Sequence, residues 1–577
     1  MAYGGPCPQS RSNRRSRMQA DYLIQNGRVV NVYSGEVLEQ EVAIAGRRII
    51  EVADRAESAT PRSKVIDAAG DFVLPGFFDA HAHADLFYNP LAYSERVLAL
   101  GTTGFFNDGH DLAGALGPEA FLELFDGLAQ LPVSLYTGVP AAAPPHPEVE
   151  GGEIWGLTDL ERAFRRDYVL SLSEVTPFSR LAQGAPDLTA KLELARSHGR
   201  LVEGHTTGAS PAKLNRLAAA GVSSCHESLN SEDVLRRLRL GYHVMLRQGS
   251  IRQDLPHLMG AVRTLETYDL SRLMLVSDGI FPDHLLSWGN MDWVVAQAVA
   301  LGIAPVRAIQ MASLNPARYF RLDHLLGGIA PGRLAHLLIA PSLERPTPRL
   351  VMASGRIAAV DGALRQPLGR PPAANLGSRP FTLDPPRAEG LRIPAASETA
   401  PVISIVNQTV TQREDLLIPI RDGFYAPQGE VMAAFLFSRD GAHQGRGLVK
   451  GFCPCLGGLA SSAAHEAHGL LVAGQDPGDM ALAAAEVLSM GGGVALAQGG
   501  QVRARLPLGL GGICSLGSVE QTARGLERMH AALRELGCTL EYPLWTFVFL
   551  PFTSVLRLRI TYQGVFDVRE GRVIWAP

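Results

Sequence analysis

The stretch FFDAHAHADLF, residues 77–87, decides how the rest of the sequence is interpreted. It follows the apolar run VLPG and places His81 and His83 one residue apart. Residues i and i+2 of a strand face the same way, so both imidazoles are expected on one side of the end of a buried strand. Such a pair can bind one cation, although two histidines alone are more often solvated or hydrogen-bonded structural groups.

Four more polar residues end apolar runs, each in a different run. They are Glu174 after YVLSLS, His205 after RLVEG, His226 after GVSSC and Asp278 after LMLVS. The six residues together make a ligand set for two divalent metals, in which imidazoles supply nitrogen and a carboxylate can bridge the ions. The last aspartate can hold water and move its proton. Capping of turns could explain any single member but not the ordered set.

The region that carries these residues, about 76–325, alternates short apolar runs with helical stretches such as DLTAKLELARSHG. This alternation predicts an α/β fold, a parallel (β/α)8 barrel, with the active site at the carboxyl ends of its strands. Residues 20–75 alternate apolar and polar positions between turns, and residues 326–366 show a similar pattern. We therefore expect a small composite β-sandwich into which the barrel is inserted.

The remaining segments differ in composition. Residues 367–399 are rich in proline and predict a linker, and residues 400–577 mix strand and helix patterns, which predicts a C-terminal α+β domain. Residues 1–19 are polar and Arg-rich without an apolar core, so we expect a disordered tail and no secretory signal. Met18 is an alternative start, because structured sequence begins directly after it.

Composition narrows the function classes. A chain of 577 residues with 46% hydrophobic and 19% charged residues predicts about two to four globular domains. A net charge of −4 gives no reason to expect nucleic acid or an anionic membrane as partner, and no apolar stretch is long enough to span a bilayer. The six cysteines contain no C-x-x-C pair and are expected to be reduced thiols of a cytoplasmic protein.

Several longer motifs make the sequence resemble the adenine deaminase family of the amidohydrolase superfamily, as a divergent member. The resemblance covers nearly the whole chain from about residue 20. It rests on LPGFFDAHAH, LALGTTGFFNDGHDLAGALG, LAAAGVSSCHES, LRLGYHVMLRQGS, MASLNPARYF and, in the last domain, LVKGFCPCLGGLASSAAHEAHGLLVAGQDPGDMALA. The last motif weighs most, because other amidohydrolases lack this domain.

The resemblance implies a binuclear divalent metal centre of Mn²⁺ or Fe²⁺, with Glu174 as the bridging ligand where many relatives use a carboxylated lysine. The ligands would be His81, His83, Glu174, His205, His226 and Asp278. It further implies a small-molecule purine base as substrate and a homo-oligomer, such as a dimer. The reaction would be hydrolysis of adenine to hypoxanthine and ammonia.

Two carboxylates are assigned catalytic roles. Asp278 would take the proton from the attacking water and pass it to the departing ammonia. Glu227 is a hypothesis for the acid that protonates the ring, and a role in orienting His226 is an equally good alternative. The H-x-E and P-C-x-x-C pattern of zinc deaminases that act on nucleic acids is absent from the sequence.

Five residues are predicted to touch substrate: Asp85, Asp108, His110, Arg247 and Ser250. For Asp108 and His110, bracing of their loop is an alternative, and Arg247 could instead pair with surface carboxylates. His465 and His468 of the HEAH motif could support the site or bind another ion, and a structural role is favoured.

The neighbours of the predicted ligands depart from the family pattern. Asp85 stands where glutamate is usual, Thr206–Thr207 where Ala-Pro is common, Gly279 where a second aspartate is common, and Asn290 where histidine is common. These changes leave two alternatives open. One is an amidohydrolase acting on another aminated heterocycle or a cyclic amide, and the other is a catalytically degenerate metal-binding paralogue.

Overall fold

A computed structural model describes residues 18–265, 269–369 and 379–577 of the protein. Most of the predicted N-terminal tail, residues 1–17, lies outside the described residues. So does the middle of the predicted linker, residues 370–378. Within the described part of the chain, none of the helices is both long and apolar enough to span a membrane.

The segment before the barrel consists of short strands joined by turns. They are β1 (Tyr22–Gln25), β2 (Arg28–Asn31), β3 (Glu36–Glu39), β4 (Glu41–Ala45), β5 (Arg48–Ala53), β6 (Lys64–Asp67) and β7 (Phe72–Pro75). Strands β5, β4, β1 and β6 form one sheet in that order. Strand β7 leads directly into the barrel.

The central region has parallel strands that alternate with helices. The strands are β8 (Phe77–Ala82), β9 (Thr102–Asn107), β10 (Ser134–Val139), β11 (Val169–Val175), β12 (Leu201–Gly204), β13 (Ser224–Cys225), β14 (His243–Arg247) and β15 (Leu273–Val276). The helices are α1 (Pro90–Ala99), α2 (His110–Leu116), α3 (Pro118–Leu128), α4 (Leu157–Phe164), α5 (Phe178–Ala182), α6 (Pro186–Ser197), α7 (Pro211–Ala220), α8 (Ser231–Arg239), α9 (Leu255–Leu265), α10 (Pro282–Ser287), α11 (Met291–Ala300), α12 (Pro305–Met311) and α13 (Leu314–Tyr319).

These strands close into a barrel. Strands β8 to β12 pair in sequence order, as do β13 to β15, and the Ser223 amide joins the two groups through a 2.9 Å hydrogen bond to Val202 O. The ring closes where β15 meets β8, because His83 N donates to Asp278 O at 2.7 Å and Asp278 N donates to His81 O at 2.9 Å. The predicted (β/α)8 barrel is thereby confirmed, and its closing contact lies among the predicted metal ligands.

Helix α7 illustrates how the local sequence sets these elements. Ser210 caps its first turn by accepting a hydrogen bond from Lys213 N, and Pro211 occupies the first helical position. Gly221 ends the helix with φ of +104°, a conformation that glycine adopts without strain. The chain then turns into β13, which delivers His226 to the top of the barrel.

After the barrel the chain returns to the first β unit through β16 (Leu337–Ala340), β17 (Leu350–Ala353), β18 (Arg356–Val360) and β19 (Ala363–Leu364). Strand β16 pairs antiparallel with β7, so that the sheet order is β19-β18-β17-β16-β7-β2-β3. Strands from both sides of the barrel therefore share one sheet, as the sequence predicts. The domain boundaries themselves stay a prediction.

The C-terminal region is a mixed α+β unit. A short 3-10 helix (Ala388–Gly390) precedes β20 (Thr399–Ile405), β21 (Thr411–Leu417), β22 (Ile420–Arg421), β23 (Phe424–Tyr425), β24 (Val431–Phe437), β25 (Gln444–Lys450), β26 (Gly458–Ser461), β27 (Leu470–Gly474), α14 (Pro477–Ser489), β28 (Gly493–Ala497), β29 (Val502–Pro507), α15 (Val519–Glu535), α16 (Pro543–Val548), β30 (Leu558–Thr561), β31 (Gly564–Asp567) and β32 (Arg572–Trp575).

The C-terminal unit packs directly on the barrel. An eight-stranded sheet in the order β21-β20-β25-β24-β27-β26-β28-β29 carries α14 on one face, and α15 contacts α10 of the barrel. One continuous apolar core contains residues of both units. The loop between β26 and β27 and the segment around α16 reach the mouth of the barrel, where the predicted ligands lie.

Candidate metal centre and active-site cavity

Strand β8 places its two histidines at the carboxyl end of the barrel. Both side chains are buried, and their ring centroids are 5.2 Å apart with the planes nearly perpendicular. Asp79, on the same strand, accepts a hydrogen bond from Ser277 Oγ at 2.5 Å and thereby fixes β8 against β15. The strand geometry inferred from the H-x-H spacing is therefore found.

The six predicted ligands, which we call the ligand cluster, converge although they come from five separate segments of the chain. Asp278 Oδ1 lies 3.4 Å from His81 Nε2 and 3.2 Å from His83 Nε2. Glu174 Oε2 lies 2.8 Å from His205 Nδ1 and 3.2 Å from His226 Nε2. Separations of about 3 Å between donor atoms are those expected of ligands that share one cation.

Glu174 lies between the two halves of the cluster. Its Oε1 is 3.8 Å from His83 Nε2, whereas its Oε2 faces His205 and His226. The rings of His81 and His226 stack at 4.1 Å between centroids, which joins the halves on the other side. A carboxylate with one oxygen toward His83 and the other toward His205 and His226 has the arrangement of a bridging ligand.

The orphaned nitrogens of His81 indicate that the cluster suits metal ions rather than a hydrogen-bond network. Both ring nitrogens are buried and neither makes a hydrogen bond. A buried imidazole without partners is unfavourable unless something else occupies its lone pair. Two of the groups that could hold a cation, His81–His83–Asp278 and His81–Glu174–His226, lie in the cluster. The residues present therefore fit a binuclear divalent centre.

Electrostatics in the cluster favour ionised carboxylates. Burial by itself raises the pKa of Glu174, but His205 and His226 hold it well below the usual range. Burial opposes the charge of Asp278 too, and Arg247 with the two β8 histidines holds its pKa well below the usual range. Both carboxylates are thus available as ligands at neutral pH.

The imidazoles respond to the same charges. Burial lowers the pKa of His83, but Asp278 and Glu174 outweigh it and raise the pKa to about 9. The pKa of His205 is raised to about 9 as well, against the effect of burial, by Glu174 and Glu227. Cations that bind here must therefore displace protons.

Arg247 is buried at the end of β14 and pairs with three carboxylates. It lies 3.0 Å from Asp278 Oδ2 and 2.7 Å from Asp254 Oδ2, and it contacts Glu227 Oε1. Glu227 also accepts a hydrogen bond from Thr207 Oγ1. These partners, together with nearby histidines, overcome burial and hold the pKa of Glu227 well below its usual range. Arg247 thus pairs with carboxylates of the site, not of the surface.

Asp108 and His110 lie behind the ligand cluster rather than in the open cavity. Asp108 Oδ2 accepts a hydrogen bond from Glu174 N at 2.8 Å, and Asp108 Oδ1 lies 2.9 Å from His110 Nδ1. His110 Nε2 lies 3.1 Å from Glu466 Oε1 of the C-terminal unit. Asp108 thus holds both His110 and the backbone of Glu174, a contact compatible with the bracing role that the sequence left open. Direct contact with substrate stays a prediction.

A cavity of about 960 Å³ opens above the ligand cluster. Its polar floor includes Asp85, Thr207, Glu227 and Arg247 in addition to five members of the cluster. The opposite wall is apolar and comes largely from the C-terminal unit, with Ile513, Trp545, Val548, Phe549, Phe552 and Val555. A polar floor under an aromatic wall suits a flat heteroaromatic ring that carries hydrogen-bonding groups.

Ser250 lies beside this cavity but does not line it. Its hydroxyl accepts a hydrogen bond from Phe281 N at 2.8 Å and lies 2.9 Å from His284 Nδ1. Its predicted contact with substrate stays a prediction. By contrast, Asp85 lines the cavity, and burial raises its pKa to about 6.

Comparison with known proteins agrees with this geometry. Family profiles described as "Amidohydrolase family" and "Adenine deaminase C-terminal domain" match residues 72–358 and 408–572. The chain is 34% identical to the adenine deaminase of Moorella thermoacetica, over 97% of this chain and 96% of that protein. It is also 34% identical to the adenine deaminase of Cenarchaeum symbiosum, over 96% of this chain and 92% of that protein.

The chain belongs to the adenine deaminase family. Its ligand cluster therefore fits the divalent metal centre of an amidohydrolase, and the match extends over the C-terminal domain. The recognition made from the sequence motifs is confirmed.

The departures from the adenine deaminase pattern have structural counterparts. A Cβ at Gly279 would lie 2.5 Å from Leu86 Cδ1 and 2.7 Å from Ile251 Cδ1, so a larger residue here would require these two side chains to shift. Asn290 accepts a hydrogen bond from Thr102 Oγ1 at 2.7 Å and donates to Tyr93 OH at 3.2 Å. Asn290 makes its hydrogen bonds outside the ligand cluster, whereas Gly279 directly follows Asp278 and packs against Leu86 and Ile251, which line the cavity.

Sequence reasoning missed the cavity wall and two acidic groups. Asp111 lines the cavity and lies 3.2 Å from His465 Nδ1, and Glu466 contacts His110. Glu466 stands inside the HEAH motif, which drew attention only to its histidines. The aromatic-rich run LWTFVFLPF at 544–552 was a signal for the wall that was not interpreted.

Proposed function

We propose that this protein hydrolyses adenine to hypoxanthine and ammonia at the ligand cluster, with two divalent cations. The observation that carries the proposal is Glu174, whose Oε2 faces His205 and His226 and whose Oε1 lies 3.8 Å from His83, with Asp278 beside His83. Membership of the adenine deaminase family supports adenine rather than another aminated heterocycle or a cyclic amide. The retained Asp278 counts against a catalytically degenerate metal binder.

Hydrolysis of adenine requires a nucleophile and the transfer of protons. When bound, divalent cations lower the pKa of water toward about 7 and so supply a nucleophile at neutral pH. Asp278 is ionised and accepts the proton of the attacking water, because Arg247 and the two β8 histidines stabilise its charge. The oxygen of the water forms a bond to C6, Asp278 passes the first proton to the amine, the C6–N bond breaks and ammonia departs, and the second proton of the water ends on the ring nitrogen next to C6.

Glu227 serves the same reaction as a hydrogen-bond acceptor in the resting site. Arg247 and Thr207 hold its two oxygens, and its low pKa keeps it ionised. It can deliver a proton to the purine ring only after it has taken one up. Glu227 Oε1 also lies 3.5 Å from His226 Nε2, the same nitrogen that faces Glu174 Oε2, so Glu227 contacts the metal-facing side of that imidazole.

Substrate is bound between the polar floor and the apolar wall. Among the carboxyl groups of the floor, Asp85 has the pKa nearest to 7, at about 6. It can therefore donate a hydrogen bond to a ring nitrogen when protonated and accept one when ionised. Trp545, Phe549 and Phe552 exclude water above the ring. A dry site strengthens the electrostatic interactions that stabilise the developing charge.

The remaining features of the proposal rest on the family resemblance. The cations are Mn²⁺ or Fe²⁺, the protein takes part in purine metabolism, and the chain forms a homo-oligomer such as a dimer. Five cysteines of the described residues are free thiols, four of them buried, which supports the reducing cytoplasm as its location. No partner other than the purine base is proposed.

The test is ammonia release from adenine by protein loaded with Mn²⁺ or Fe²⁺, measured together with hypoxanthine. Equal amounts of both products are expected. Asp278→Asn should lower kcat by at least about a hundredfold because it removes the proton acceptor. The exposed Asp283→Asn, a change of the same kind on α10, is the control and should keep activity. Metal-loaded wild-type protein that releases no ammonia from adenine would overturn the proposal.

A further inference from the structure

A second group of metal-binding side chains lies where the C-terminal unit meets the barrel. It consists of His110 at the start of α2 and of His465 and Glu466 in the loop between β26 and β27. The side chains of His110 and Glu466 are buried, and that of His465 is 11% exposed. None of the three residues belongs to the ligand cluster, although His110 Nδ1 lies 3.7 Å from Glu174 Oε1, and the group joins segments more than 350 residues apart in the chain.

The distances in this group suit a shared cation. One ligand atom from each residue lies within 4.8 Å of the other two, and His110 Nε2 is 3.1 Å from Glu466 Oε1. Ligands about 2.1 Å from one cation, at angles of 90° to 109°, lie about 3.0–3.4 Å from each other. The buried His110 Nε2 nevertheless makes no hydrogen bond, so Glu466 does not satisfy it.

The opposite ring nitrogens of both histidines face carboxylates. Nδ1 of His110 is 2.9 Å from Asp108 Oδ1, and Nδ1 of His465 is 3.2 Å from Asp111 Oδ2. A carboxylate that accepts from one imidazole nitrogen fixes the ring and leaves the other nitrogen for a metal. Thr176 Oγ1 donates to Glu466 Oε1 at 3.0 Å and holds the third ligand in place.

We propose that His110, His465 and Glu466 bind a third divalent cation at the interface between the barrel and the C-terminal domain. Two imidazoles and one carboxylate are a ligand set that Zn²⁺ accepts in proteins, with a fourth position left open. His465 lines the cavity, so the open position faces the cavity. The site depends on neither the identity of the substrate nor occupancy of the ligand cluster.

This cation links the two units to the bridging ligand. It ties the C-terminal loop to α2, and Asp108, which orients His110, also accepts from Glu174 N at 2.8 Å. Without the cation, His110 Nε2 and Glu466 Oε1 would face each other directly at 3.1 Å. The interface with the cation and the interface without it differ in metal content, so a metal analysis distinguishes them.

The experiment counts metal per chain after the full-length protein is equilibrated with Zn²⁺ and freed of unbound metal. Three equivalents are expected for the wild type and two for Glu466→Gln and His465→Gln. The control is Glu150→Gln, because Glu150 is a buried carboxyl that accepts from Thr553 and belongs to none of the candidate groups. It should keep three equivalents.

His83→Asn separates this site from the ligand cluster. The His83→Asn variant should bind fewer than three equivalents of metal per chain. The double variant with Glu466→Gln should bind one equivalent less than His83→Asn alone. Circular dichroism verifies that each variant is folded. The proposal is overturned if the folded wild type binds no more than two equivalents. It is equally overturned if Glu466→Gln and His465→Gln bind as many as the wild type.

Discussion

At the scale of single residues, Asp278 joins the fold to the chemistry. Its backbone N–H and C=O bond to β8 and close the barrel, and its φ of +58° is uncommon for a residue with a side chain. The same conformation places Oδ1 within 3.4 Å of both β8 histidines. The proton acceptor is therefore positioned by strand pairing rather than by a flexible loop.

Arg247 sets the charge state of the carboxylates around it, and Arg247→Met tests this. Without the guanidinium, the pKa of Asp278 and of Glu227 must rise, because burial is no longer opposed by its positive charge. Asp278 can accept the proton of the attacking water only when it is ionised. The acidic limb of the kcat/KM profile should therefore move to higher pH, by about one unit or more.

The control for this prediction is Arg252→Met, since Arg252 is partly exposed and pairs only with Asp254 among the site carboxylates. Its profile should resemble that of the wild type. An acidic limb that stays in place in folded Arg247→Met would show that Arg247 does not govern the ionisation of the base.

At the scale of elements, the contact of α2 with the C-terminal loop is unusually close. A Cβ at Gly114 would lie 2.0 Å from His468 Nε2, whereas a Cβ at Gly127 of α3 would meet nothing within 4 Å. Gly114→Ala should therefore lower the free energy of unfolding by about 1–3 kcal/mol, because it displaces His468. Gly127→Ala should leave it unchanged or raise it by up to about 1 kcal/mol.

Thermal unfolding of the two alanine variants measures this difference. Both changes add one methyl group to a helical glycine, so their comparison cancels the effect on helix propensity. Equal shifts for Gly114→Ala and Gly127→Ala would contradict the close packing of α2 against the C-terminal domain.

The elements also explain what could be predicted from the sequence. All six ligands follow apolar runs, and parallel strands bring their carboxyl ends to one edge, so their convergence follows from local patterns. Ser250 does not follow this pattern, because it lies beyond the end of β14. The chain folds back there, with Gln248 bridging to Gln253, and the Ser250 hydroxyl faces Phe281. The aromatic wall and Glu466 reach the site only through packing between distant segments, which no local pattern encodes.

At the scale of the whole molecule, His336 lies where the β unit meets the barrel. It precedes β16, and its Nε2 is 3.0 Å from Ser134 Oγ at the start of β10. Burial and the nearby charge of Arg47 lower its pKa to about 3. Below about pH 6.5 the unfolded chain therefore binds a proton that the folded protein does not, and stability falls as the pH drops from about 6.5 to about 3.

His336→Gln should remove this contribution. Between pH 7 and pH 5 the wild type should lose about 2 kcal/mol more than the variant in urea unfolding. The exposed His324→Gln serves as the control and should lose as much as the wild type. Identical pH dependence in the wild type and in His336→Gln would contradict a neutral, buried imidazole at this interface.

The proposed activity depends on two cations held by six side chains. Anomalous scattering from crystals loaded with Mn²⁺ tests most directly whether these cations are bound. Two peaks are expected in the ligand cluster, one beside His81 and His83 and the other beside His205 and His226, with an oxygen of Glu174 about 2.0–2.4 Å from each. A map with no peak among these residues, or with Glu174 turned away from both ions, would contradict the account.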